Sequence, residues 1–109
     1  MKRAASPKPE HVAALDAIAE MRTGWFADAI EVARAQLDAG CTTYSREVAD
    51  LLRTTASGAA TLPIRYRIEL ARRALRELEE AGVARSRLDV HTGPGKQRMA
   101  RRVYELRDP

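Results

Sequence analysis

The sequence predicts a mainly α-helical domain closed by a small β-hairpin near its C-terminal end. Three observations lead to this fold class. Large apolar residues recur at intervals of three and four residues through much of the chain, which is the period of an amphipathic helix. After Gly82 the apolar residues alternate, which is the period of a strand. A stretch rich in glycine and basic residues separates two such alternating segments, as expected at the turn of a hairpin.

Length and composition favour one soluble globular domain. The chain has 109 residues, of which 45% are hydrophobic and 31% charged, enough for a single modest core. The single cysteine, Cys41, has no partner for an internal disulfide or for a metal site. No apolar run approaches the roughly 20 residues of a membrane span, and no apolar signal-peptide core follows Met1. We therefore expect a cytoplasmic protein.

The charges are unevenly distributed along the chain. Residues 1–9 carry three basic residues and no acidic one, and with two prolines they are expected to form a flexible arm. Residues 10–40 carry six acidic and two basic residues, whereas residues 83–109 carry seven basic and three acidic residues. Because the local field attracts a phosphate backbone, this segregated basic end indicates a nucleic-acid partner more strongly than net charge does.

Two helices are expected within residues 10–39. Thr23–Gly24 predicts a break between them, although a continuous helix also fits because one glycine costs only about 1 kcal/mol. In the second helix, Trp25 and Val32 widen the apolar arc beyond a single contact surface. We therefore expect either a homodimer formed through residues 10–39 or a second apolar face packed inside one subunit.

Two shorter segments come next. Residues 45–53 predict a short helix with candidate N-caps in 42–45 and with Val48, Leu51 and Leu52 turned inward. Residues 54–63 are mostly small and predict either a long loop or a loop containing one extra helical turn.

Residues 64–81 predict the longest uninterrupted amphipathic helix, preceded by Pro63 and followed by Gly82 as a left-handed cap. Its apolar stripe consists of Ile64, Ile68, Ala71, Leu75 and Leu78. At 100° per residue, the opposite face carries Arg65, Tyr66, Glu69, Arg73, Arg76 and Glu80. Arginines beside an aromatic residue suit a polyanion or base edges. The alternative is a solvated face with the ion pairs Arg73–Glu77 and Arg76–Glu80.

Residues 86–107 predict the hairpin. Leu88 and Val90 fall on one side of the first strand, and Tyr104 and Leu106 fall together on the second. The stretch 93–96 resembles a phosphate-binding loop only faintly, because glutamine rather than Ser or Thr follows the lysine and the context is a hairpin. We therefore interpret this stretch as a basic hairpin tip.

The order of these elements resembles the winged helix-turn-helix DNA-binding domains of bacterial transcriptional regulators. The resemblance covers about residues 24–107 and is carried mainly by 45–52, 71–83 and 102–106. It implies that 45–53 is a positioning helix, 64–81 a recognition helix and 86–107 a wing. The ten residues of 54–63 exceed the family's usual turn, which affects the expected angle of the recognition helix.

The expected function is therefore sequence-specific binding of double-stranded DNA, as a small transcriptional regulator. The resemblance places Arg65, Tyr66, Glu69 and Arg73 in the major groove. It places Lys96, Gln97 and Arg98 at the wing tip, beside a phosphate or the minor groove. The complete set of expected DNA-binding residues is Ser45, Arg46, Arg65, Tyr66, Glu69, Arg73, Arg76, Lys96, Gln97, Arg98, Arg101 and Arg102.

Two other functions stay open. One is a winged-helix protein-interaction module, and the other is a DNA-binding accessory protein of plasmid or phage replication, partition or excision. An enzyme is not expected, because no catalytic grouping of side chains is apparent. His11 and His91 stand alone, so we expect no metal, and we likewise expect no cofactor and no small-molecule ligand.

Overall fold

Three α-helices precede an antiparallel hairpin in the described part of the chain. The structure is a computed structural model that describes the backbone of residues 9–107 and the side chains of residues 22–107. The helices are α1 (Pro9–Asp38), α2 (Ser45–Arg53) and α3 (Ile64–Glu80), and the strands are β1 (Ala84–Thr92) and β2 (Arg98–Leu106). Short 3-10 turns occupy Gly58–Thr61 and Pro94–Lys96. This order confirms the expected fold class of helices followed by a C-terminal hairpin.

Helix α1 is continuous, so the break expected at Thr23–Gly24 is wrong. A side chain at Gly24 would meet no atom within 4 Å, so the glycine answers no packing need. After the glycine, the inner side of the helix is anchored by Ala29, Ala33 and Leu37, which are fully buried against the rest of the domain. That burial outweighs the small helix cost of one glycine. Pro9 begins the helix, and the remainder of the expected arm lies outside the described residues, as does the side chain of His11.

The core is built around the apolar stripe of α3. Ala71, Leu75 and Leu78 are buried, while Ile64 and Ile68 pack at the margin of the same cluster. The helix ends as the sequence predicted: Gly82 adopts a left-handed φ of 79°. The backbone N–H groups that follow α3 return to its last carbonyls, including Val83 N–H to Leu78 C=O at 2.9 Å.

Helix α2 starts without the side-chain cap expected from 42–45. Tyr44 occupies the N-cap position in an extended conformation, and no cap hydrogen bond from its side chain is present within the described residues. The nearby hydroxyl of Thr43 instead donates to Glu47 Oε1 at 2.7 Å, which also accepts from Gln36 Nε2 at 3.0 Å. These bonds tie the first turn of α2 to the end of α1.

The segment between α2 and α3 contains the extra helical turn that the sequence left open. Ser57 caps this turn, because its Oγ accepts from Ala59 N–H at 3.0 Å and donates to Asp28 Oδ2 on α1 at 2.6 Å. Trp25 packs against the same turn, with its indole nitrogen 3.2 Å from the position a Cβ would take at Gly58. The segment is therefore packed on α1.

Arg67 fixes the start of α3 against this segment. Its guanidinium donates to Leu62 C=O at 3.1 Å and to Ala49 C=O at 3.0 Å, and the residue is only 7% exposed. A buried arginine on the inner side of α3 was not expected from the apolar stripe. Its hydrogen bonds join α3 to both α2 and the preceding loop.

The hairpin runs in register from Ala84 opposite Leu106 to Thr92 opposite Arg98. At its base, Tyr104 exchanges backbone hydrogen bonds of 2.9 and 2.7 Å with Thr43, which adds a single bridge to the outer side of β2. Leu88 and Val90 share one face of the hairpin, as predicted, but both are exposed.

Candidate nucleic-acid interface

A cleft lined by arginines lies where α2, α3 and β2 meet. We call it the arginine cleft. Its volume is about 420 Å³. Its lining residues come from the start of α2, from one flank of α3 and from the half of β2 nearest the core: Tyr44, Ser45, Arg46, Ile68, Arg72, Arg76, Arg101, Arg102 and Tyr104. Five of these nine side chains are arginines, so the cleft concentrates positive charge on a concave surface.

Helix α3 supplies Arg72 and Arg76, which are one turn apart on the same flank. Arg72 forms an exposed ion pair with Glu69 at 3.3 Å. Among the described residues, neither of the expected pairs Arg73–Glu77 and Arg76–Glu80 comes within ion-pair distance. The guanidinium of Arg76 is therefore not paired with a carboxylate of the described residues and is available to a ligand.

Strand β2 supplies Arg101 and Arg102 on opposite faces of the hairpin. The Arg101 guanidinium lies 3.9 Å from the centre of the Tyr44 ring, a cation–π contact that orients it without neutralising it. Its nearest carboxylate in the described part of the chain is that of Asp89, at 3.7 Å. Arg102 donates to the Ser86 hydroxyl at 3.0 Å, and Ser86 in turn donates to Glu79. Both arginines are thus held in place by contacts that leave other N–H donors available.

The N-terminus of α2 forms the third wall of the cleft, at Tyr44, Ser45 and Arg46. The first backbone N–H groups of a helix have no intrahelical partner, and here no Tyr44 side-chain cap satisfies them within the described residues. The helix dipole adds partial positive charge at the same end. Arg46 is paired with Asp50 at 3.3 Å on the exposed side. The arrangement favours an anion with several oxygen acceptors.

Tyr104 forms the floor of the cleft. The pKa of its phenol is raised, first because the ring is buried and second because the Glu79 carboxylate lies near it. Arg102, Arg76 and Arg72 act in the opposite direction. Tyr104 is therefore a neutral hydroxyl at physiological pH, surrounded by three fixed cations.

The structure brings together only part of the expected DNA-binding set. Ser45, Arg46, Arg76, Arg101 and Arg102 line the arginine cleft, together with Arg72 and Tyr44, which sequence reasoning missed. A signal for Arg72 was present, because it precedes Arg76 by one helical turn.

The other expected residues lie elsewhere. Tyr66, Glu69 and Arg73 line a different groove beside α1, with Arg22 and Trp25 on its far side. Lys96, Gln97 and Arg98 are exposed at the hairpin tip, and Arg65 is exposed on α3 outside the lining of both grooves. The expected surface of α3 is thus shared between the two grooves, although Arg73 and Arg76, about 60° apart around the helix, also line one depression together with Phe26, Glu77 and Glu80.

No protein-family model, no curated protein and no solved structure matches this chain. Within the residues that the structure describes, no helix combines the length and apolar character needed to cross a membrane.

Proposed function

We propose that the chain is a winged helix-turn-helix domain that binds double-stranded DNA. The observation that carries this proposal is the arginine cleft, where two helices and one strand contribute five arginines to the lining of one concave surface. Phosphate is the chemistry that suits it best, because guanidinium groups bind phosphate oxygens in a bidentate geometry.

Different elements of the cleft are expected to make different contacts with DNA. Arg46, the first turn of α2 and Arg101 are placed for contacts to one phosphate backbone, which set orientation without reading sequence. Arg76 is exposed on α3 and lines both the cleft and a neighbouring depression that it shares with Arg73. It is the best candidate on this flank for a bidentate contact with guanine in the major groove.

The hairpin tip extends the basic surface beyond the cleft. Lys96 and Arg98 are exposed there, and the tip backbone turns sharply, with Gly95 and Lys96 at φ values of 73° and 61°. An exposed cationic tip favours phosphate contacts over base contacts. Of the two other functions, an accessory DNA-binding protein would use the same cleft, whereas a protein-interaction module would bind an acidic peptide there.

Binding of labelled duplex DNA, followed by fluorescence anisotropy over a range of salt concentrations, tests the proposal. If the cleft neutralises phosphates, the logarithm of affinity should fall with the logarithm of salt by about 0.9 for each contact. Arg72→Ala and Arg101→Ala should each weaken binding and reduce that slope, whereas Arg76→Ala should weaken binding to the preferred sequence more than binding to scrambled DNA.

The matched control is Arg34→Ala, because Arg34 is an exposed arginine on α1 that is paired with Asp38 at 3.0 Å and lies outside the cleft lining. Equal losses of DNA affinity for Arg34→Ala and Arg76→Ala would show that the cleft contributes only non-specific positive charge. A flat salt response, with tight binding of an acidic peptide, would support the protein-interaction module instead. Preference for one sequence over scrambled DNA would separate sequence-specific binding from non-specific attraction to the phosphate backbone.

The homodimer expected through residues 10–39 stays a prediction. Trp25 and Val32, the residues that motivated it, are half-buried and pack against the clusters inside one subunit. Over residues 22–38 this fits the alternative in which the second apolar face is used internally.

A further inference from the structure

Strand β1, whose outer edge is open, carries two exposed large apolar side chains. Leu88 is 59% exposed and Val90 is 54% exposed, and both lie on the same face of the hairpin. In the described part of the chain, β1 pairs only with β2, so its other edge is an open strand edge of nine residues. Natural proteins usually block such an edge, because it readily pairs with another strand.

The ladder shows which backbone groups reach this edge. Arg107 N–H donates to Val83 C=O at 2.9 Å, and Gly93 N–H donates to Gln97 C=O at 2.7 Å. Because bonded pairs alternate in an antiparallel ladder, the odd-numbered residues of β1 bond to β2. The even-numbered residues, with Leu88 in the middle, therefore direct their N–H and C=O groups outward.

We propose that β1 pairs with β1 of a second copy of this chain. The two strands run antiparallel, and the two-fold axis passes midway between the two Leu88 residues. Leu88 then lies opposite Leu88 of the other copy, and Val90 lies opposite Ser86. The two hairpins form one four-stranded sheet, and the exposed apolar side chains of both copies meet on one face.

Charge selects this register over its neighbours. With the axis at Leu88, Arg87 of each copy lies opposite Asp89 of the other, which gives two cross-strand pairs of opposite charge. An axis at residue 87 would place two arginines opposite each other, and an axis at residue 89 would do the same with two aspartates. Within one chain, Asp89 lies 3.7 Å from the guanidinium of Arg101 and 3.9 Å from that of Arg87, both near the long end of ion-pair distance. The edge is thus self-complementary in charge, in apolar surface and in hydrogen-bonding groups.

Cysteine cross-linking tests the register directly. In a Cys41→Ser background, which removes the exposed native thiol, Leu88→Cys should form a disulfide-linked dimer under mild oxidation. The two positions 88 would have Cα atoms about 5.5 Å apart, which suits a disulfide. Val90→Cys is the matched control on the same face, because the two positions 90 would be about 14 Å apart and cannot be bridged.

A second measurement uses charge exchange. Arg87→Asp and Asp89→Arg should each give a monomer in sedimentation, because each places like charges opposite one another. An equimolar mixture of the two variants should restore the dimer, since every cross-strand pair is then opposite in charge. An interaction confined to one chain cannot produce such rescue by mixing.

The proposal does not depend on DNA binding, and both measurements are made without DNA. Comparable cross-linking of Leu88→Cys and Val90→Cys would indicate random collision and would overturn it. A wild-type chain that sediments only at 12.1 kDa over micromolar concentrations would also overturn it. A dimer that forms without Leu88→Cys cross-linking would place the interface elsewhere, as in the prediction for residues 10–39.

Discussion

Replacing Arg67 by methionine should destabilise the domain more than any surface substitution on α3. The guanidinium of Arg67 bonds Leu62 C=O at 3.1 Å and Ala49 C=O at 3.0 Å from a nearly buried position. Methionine keeps the apolar stem but supplies no donor, so both carbonyls lose their charged partner.

The expected loss follows from these two bonds. A hydrogen bond to a charged group contributes about 1.5–3 kcal/mol, and leaving its buried partner unsatisfied adds a further desolvation cost. Water admitted by the remaining exposure offsets part of the loss. We therefore expect Arg67→Met to lower the free energy of unfolding by about 3–5 kcal/mol. Arg67→Lys should lower the free energy of unfolding by less than Arg67→Met does, because a compact ammonium reaches one carbonyl more easily than two.

Urea unfolding followed by circular dichroism measures this change. Arg73→Met is the matched control, since Arg73 is an exposed arginine on the same helix, and its effect should stay within about 0.5 kcal/mol. If Arg67→Met also stayed within about 0.5 kcal/mol of the wild type, the inference that Arg67 joins α3 to α2 and the loop would be refuted.

Three further outcomes follow from the packing and charge of other residues. Leu75→Ala should lower the free energy of unfolding by about 2–5 kcal/mol in the same urea assay, because Leu75 is fully buried. The raised pKa of Tyr104 means that its phenol ionises first in the unfolded chain as pH rises above about 10, so folding stability is lost there. Tyr104→Phe should reduce this alkaline loss in urea unfolding compared across pH. Lys96→Ala and Arg98→Ala should weaken binding to the preferred sequence and to random DNA equally. Each should also lower the salt slope measured by anisotropy by about one.

The helices and the hairpin could be predicted because their signals are local. The stripe through Ala71 and Leu75, the cap at Gly82 and the change of period after it each depend on residues close in sequence. The prediction of a break at Thr23–Gly24 was wrong because the outcome there depends on residues that are distant in sequence. Whether a helix continues through one glycine depends on burial of its flanking turns against distant elements, which local propensity does not contain.

The candidate site was harder to predict than the fold. The sequence identifies a basic outer face on α3, but not which flank of that face meets α2 and β2. That choice sets Arg72 and Arg76 in the arginine cleft and Arg73 in the groove beside α1. The partners of Arg67 were equally inaccessible, because backbone carbonyls have no sequence signature and Ala49 is eighteen residues away.

The two proposals share one geometric consequence. Directly opposite residues in an antiparallel pair point to the same face, so Arg102 lies on the face that carries Leu88 and Val90. A two-fold axis perpendicular to the sheet would therefore place Arg102 and Tyr104 of both copies on one side of the four-stranded sheet, with Arg101 of both copies on the other. If one duplex contacts the Arg102 side of both copies, the second copy binds at an effective concentration set by the sheet. Under both proposals, self-association of β1 should therefore strengthen DNA binding without any new contact to DNA.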